Sequence, residues 1–168
     1  MHRRLIHRFP HLCVALAAGL LTSSAGAGPT DAAFAATIHI SEQVAPANQP
    51  IPCFLIGTVS GNGVATKLGA VTLASTDCIN PLTPEFTSFV FSSMGGVVLT
   101  TMNGDEVMAT YTGVLSSNGV INGTFVIHGG TGRTANATGS GILTGFEAID
   151  LATGTGGGQI RLEGTISY

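Results

Sequence analysis

The chain has 168 residues, 44% hydrophobic but only 9% charged and 6% aromatic, with 24 Gly, no Trp and a formal net charge of −3. Low charge with ample apolar content excludes a disordered acidic or basic tail, and glycines without a triplet period exclude collagen. Mean hydropathy is +0.43, yet no run reaches the roughly 18 to 20 apolar residues that span a bilayer.

Residues 1–8 contain Arg3, Arg4 and Arg8; an uncharged stretch, 12–21, and small residues, 22–27, follow. A basic start, a short apolar core and an Ala25-x-Ala27 exit form the pattern of a secretory signal peptide. The pattern predicts a leader over 1–27 and a secreted or periplasmic protein. Cleavage after Ala35 is the alternative. Without the leader, Lys67, Arg133 and Arg161 face nine acids, a formal charge of 3 − 9 = −6. Three scattered bases cannot release counterions from a phosphate backbone, so no nucleic-acid partner is expected, and no stable membrane span either. Export places Cys53 and Cys78 in an oxidising compartment. One Cys53–Cys78 bridge is expected, worth about 3 kcal/mol on the chain-entropy model; two free buried thiols are the alternative.

Residues 28–50, rich in Ala, Pro, Gln and Asn, read as a linker or a loosely docked arm with one short β-like patch at 37–41. Residues 51–168 read as a single β-barrel domain. They are rich in Thr, Val, Ile and Phe, which pack well on a pleated surface, and are cut at short intervals by Gly and Asn. The punctuation predicts eight strands: 54–60, 64–74, 86–94, 97–102, 105–115, 120–128, 139–151 and 159–168. Gly61-Asn62-Gly63 and Gly95-Gly96 are read as breaks between strands, Asn103-Gly104 and Asn118-Gly119 as hairpin turns.

Alternation assigns faces. In the last strand Ile160, Leu162, Ile166 and Tyr168 should point inward. Ile121, Phe125 and Ile127 do so in 120–128; the segment 105–115 alternates less cleanly, with Val107, Ala109 and Tyr111 opposing Met108, Thr110 and Thr112. The segment 139–151 is apolar on both faces (Ile142 and Phe146; Leu143, Ile149 and Leu151), so a cover such as the N-terminal arm is expected over its outer side. Short connections favour an all-β, closed eight-stranded antiparallel up-and-down barrel, which removes unpaired edges. A sandwich is the alternative.

The stretch Ile127-His128-Gly129-Gly130-Thr131-Gly132, with Ala137 and Gly139 after it, resembles the allene oxide cyclase/dirigent barrel superfamily. Gly104-Asp105-Glu106, Tyr111-Thr112-Gly113 and the terminal Gly164-Thr165-Ile166-Ser167-Tyr168 resemble its bacterial exported branch. The resemblance covers residues 51–168. It implies a calycin-like eight-stranded barrel with an apolar cavity, and often a homo-oligomer. In that superfamily the plant cyclases steer a reactive epoxide to cyclise, and dirigent proteins orient radical coupling.

The residues themselves suggest little catalytic chemistry. His39 and His128 are far apart, no Cys-x-x-Cys or His-x-x-x-His occurs, and neither a metal nor a cofactor is expected. No Gly-x-Ser-x-Gly elbow or phosphate-binding loop is present. Asp105 is the one faint catalytic candidate, since a buried carboxyl has a raised pKa and can act as a general acid. Phe89, Phe91, Tyr111, Phe125 and Tyr168 are expected to line a cavity. Three functions remain open: binding a small apolar ligand in the barrel, catalysis by confinement, and a structural or self-associating role.

Overall fold

The computed structural model describes residues 31–48 and 52–168. The expected leader, 1–27, lies outside the described residues. Eight strands form one closed antiparallel barrel: β1 (Ala32–Pro46), β2 (Leu55–Ala65), β3 (Gly69–Pro81), β4 (Phe89–Thr101), β5 (Glu106–Leu115), β6 (Val120–Gly130), β7 (Thr138–Asp150) and β8 (Thr155–Ser167). Each strand pairs with its neighbours in chain order. The ring closes where β1 meets β8, from Ala32 opposite Ile166 to Gln43 opposite Thr155. A single 3-10 turn, Gly132–Thr134, joins β6 to β7. No helix among the described residues is long and apolar enough to cross a membrane.

The expected arm is in fact mostly strand. Phe34, Ala36, Ile38, Ile40, Glu42 and Val44 alternate along β1 and point inward, with outward residues between them. Pairing on both sides makes β1 the closing stave rather than a loose appendage. Consequently nothing in it covers β7, whose outer Ile142 and Phe146 stay exposed.

Two of the expected breaks lie inside strands. Gly61 and Gly63 are within β2, and a Cβ on Gly61 would stand 2.7 Å from the His39 carbonyl oxygen, so they mark a close approach of β1 and β2 backbones. The turn comes later, where Lys67 and Gly69 take φ of 69° and 78°. Gly95 and Gly96, at φ 83° and 101°, form a bulge within β4, around which the register with β3 and β5 shifts. Four expected segments between residues 54 and 102 are therefore three strands, and β1 restores the number to eight.

The interior is divided along the axis. At the end where β1 begins, Phe34, Leu73, Leu99, Phe125, Ile127 and Leu162 fill the lumen, with Phe34 and Phe125 in edge contact at 5.9 Å. Only about 10 Å³ is left there. The opposite end, where β1 finishes, is polar.

Candidate functional site

Three of the chain's nine acids are buried inside the polar half of the barrel: Glu42 on β1 (3% exposed), Asp77 on β3 (5%) and Glu147 on β7 (7%). Each occupies an inward position of its strand's alternation. Glu42 follows Ile38 and Ile40, Asp77 lies between Ser75 and Ile79, and Glu147 lies between Leu143 and Ile149. Lys67, Arg133 and Arg161 are all at the surface, so no base among the described residues neutralises the cluster.

Asp77 is the best satisfied of the three. Its Oδ1 accepts from the Tyr111 hydroxyl at 2.6 Å and from Ser75 Oγ at 2.8 Å. Burial nevertheless holds Asp77 above the usual carboxylate range, against the lowering effect of those two bonds. Burial, with the adjacent Asp77 charge, also raises Tyr111. The β4 bulge lies at this level, and Ser93 Oγ accepts from the Tyr111 backbone N–H at 3.0 Å.

Glu42 and Glu147 lie side by side within hydrogen-bonding reach. Burial, then the neighbouring Glu147, pushes Glu42 up to about 9. Burial raises Glu147 as well. Two carboxyls in a shared apolar enclosure cannot both ionise cheaply, so the pair retains a proton at neutral pH. Glu147 Oε1 is buried with no hydrogen-bond partner. Glycines make space for these side chains. A Cβ on Gly57 of β2 would overlap Glu42 Oε1, and one on Gly156 of β8 would stand 3.0 Å from Glu147 Oε1.

A cavity of about 30 Å³ lies among Glu42, Asp77, Phe91, Tyr111 and Glu147, room for roughly one water. A larger cleft of about 390 Å³ opens at the adjoining rim, bounded by Phe86, Phe89, Leu115, Phe146, Ile149 and Leu151. Glu147 borders both spaces. Phe86, at φ 55°, is a strained rim residue whose ring packs on Phe54 at 5.0 Å. Among the described residues, no group of three or more His, Cys, Asp or Glu is arranged to hold a metal ion.

The expected lining residues divide between these places. Phe91 and Tyr111 border the small polar cavity, Phe125 belongs to the filled apolar half, and Phe89 faces the rim cleft. Tyr168 is 44% exposed, beyond the last paired residue of β8, with its hydroxyl donating to the Lys67 carbonyl at 3.4 Å. It lines nothing. Asp105 is not an interior acid either. It precedes β5 at a turn and pairs with the exposed Arg133 at 2.8 Å. The turn carries it outside the lumen. The three interior acids escaped sequence reasoning because two fell in segments not read as strands; Glu147 was legible from its even spacing with Leu143 and Ile149. Cys53 and Cys78 form the expected disulfide.

No protein-family model and no curated protein sequence matches the chain. Among solved structures it is similar to a pterocarpan synthase dirigent protein, with a TM-score of 0.51 and 11% identity, over 92% of this chain and 96% of that one. The chain therefore has a dirigent-like barrel fold.

Proposed function

We propose that this is an exported barrel that binds a small, largely apolar molecule in the rim cleft rather than on the barrel axis. The carrying observation is the contrast in volume. The cleft offers about 390 Å³, in the range of small-molecule sites, whereas the interior spaces hold about 30 and 10 Å³. The cleft wall combines aromatic and aliphatic side chains with Thr87, Ser116, Ser117, Asn118 and Glu147. Export accords with the leader-like start and the Cys53–Cys78 bridge. An amide NMR titration with small aromatic fragments tests the site. Shifts should gather at residues 86–89, 115–119 and 146–151. Shifts centred on Leu99 and Phe125, or none across the panel, would overturn the reading.

A second reading, acid-assisted chemistry on the bound molecule, is favoured by the proton-retaining Glu42–Glu147 pair, of which Glu147 borders the cleft. The word synthase in the name of the structural neighbour agrees with it. Its test is product formation lost in Glu147→Gln while ligand binding persists.

A further inference from the structure

We propose that the ligand of the rim cleft carries a protonated amine, which docks on Glu147 and Glu42 where the cleft meets the polar half of the barrel. This rests on the cleft being the ligand seat, and adds the chemical class of its occupant.

Three observations converge. Glu147 is more than nine-tenths buried, at 7% exposed, and its Oε1 has no partner. A buried carboxyl oxygen left without a donor is costly and calls for an explanation. Secondly, every titratable group that lines the small cavity with Glu147 is acidic or phenolic. Glu42 faces it from β1, Asp77 from β3 and Tyr111 from β5; the remaining wall is Ile40, Val59, Phe91, Ile121, Leu143 and Ile160. Thirdly, Gly57 and Gly156 leave room for the two glutamate carboxyls, where any larger residue would crowd them.

A group that donates hydrogen bonds and carries positive charge suits this acidic wall. An alkylammonium does both, with three N–H donors and no acceptor. Its head needs little more volume than a water, which the cavity of about 30 Å³ supplies. Its apolar body would fill the cleft of about 390 Å³. A carboxylate or phosphate ligand would meet only like charge. A metal ion fits less well, because the acids do not converge as metal ligands among the described residues. Binding exchanges cations: the ammonium enters, and the proton held between Glu42 and Glu147 leaves to solvent. Affinity should therefore rise with pH until the amine itself deprotonates.

The test compares 2-phenylethylamine with its near-isostere 2-phenylethanol, by calorimetry at pH 6 and pH 8. The amine should bind at least about ten-fold more tightly at pH 8, the scale of a charge-assisted hydrogen bond, and release a proton. Glu147→Gln should shrink that advantage to about two-fold, with Glu42→Gln as a second variant should the first fail to fold. If the alcohol binds as well as the amine or better, the cleft reading stands and the amine falls. If neither binds, both fall. An amine preference untouched in both variants would place the cation elsewhere and overturn the proposal.

Discussion

The Tyr111 hydroxyl donates to Asp77 Oδ1 at 2.6 Å, joining β5 to β3 across the inner face of the strand that separates them. That intervening strand, β4, bulges at Gly95 and Gly96 at the same level. Ladder hydrogen bonds link only neighbours, so this contact ties together three staves at the point where their register is irregular.

Tyr111→Phe should therefore destabilise the barrel by about 1–3 kcal/mol at pH 8, the cost of leaving a buried acceptor short of a donor. Ser75 Oγ would remain as a hydrogen-bond donor to Asp77 Oδ1. The cost should be smaller at pH 5, because a hydrogen bond to an ionised acceptor is stronger than one to a neutral acid. Urea midpoints of both proteins at the two pH values measure this. An equal loss at each would show that Asp77 does not change charge in the folded protein over that interval.

The buried acids also set the pH dependence of stability. Glu42 rises from 4.5 to about 9 on folding, so the folded protein holds a proton that the unfolded chain releases. The resulting stabilisation is fully present below pH 4.5 and is lost as pH climbs towards 9. Glu147 and Asp77, both raised by burial, act in the same direction. The barrel should be more stable at pH 5 than at pH 9, by an amount on the order of a few kcal/mol. Glu42→Gln keeps the shape and removes one titration, so its stability should vary less over that range. Denaturant unfolding across pH would reveal a flat or rising profile if the carboxyls were solvated instead.

Much of the barrel was legible because alternation is a local property. Ile160, Leu162 and Ile166, or Ile121, Phe125 and Ile127, announce an inner face without knowledge of their partners. What alternation cannot do is tell a glycine that turns the chain from one that admits a neighbour. Gly119, at φ 82°, does the first, while Gly61 and Gly63 accommodate the β1 backbone. The site was hidden for a related reason. An acid at an inward position looks like a flaw in a strand until the opposite wall is known. Glu42, Asp77 and Glu147 come together only through ring closure, and Asp105, flanking a visible turn, drew attention away from them.

Gly57 supplies a direct test of that fit. In β2 it points inward, where an added Cβ would overlap Glu42 Oε1 and stand 3.1 Å from Ile79 Cδ1. Gly57→Ala should lower stability by about 1–3 kcal/mol through overpacking. In a Glu42→Ala background the same substitution should cost much less, because the clashing carboxyl is gone. A double-mutant cycle by thermal or urea unfolding reads the coupling. Additive costs would mean that the β1 and β2 side chains do not share this space.

The Cys53–Cys78 bridge fastens the chain just before β2 to β3, a sequence separation of 25. Hydrogen bonds reinforce the same join: Phe54 N–H donates to the Ile79 carbonyl and to Asn80 Oδ1, and Asn80 Nδ2 donates to the Pro52 carbonyl. Together they hold Phe54 beneath Phe86 at the cleft rim. Replacing both cysteines by serine should cost about 2–4 kcal/mol, chiefly by freeing the unfolded chain. The Asn80 bonds should keep the rim in place, so fragment binding at the cleft should weaken far less than stability does. Reductant should lower the unfolding midpoint of the native protein and leave the double-serine variant unaffected. A native midpoint indifferent to reductant would show that Asn80 alone suffices to fasten the segment.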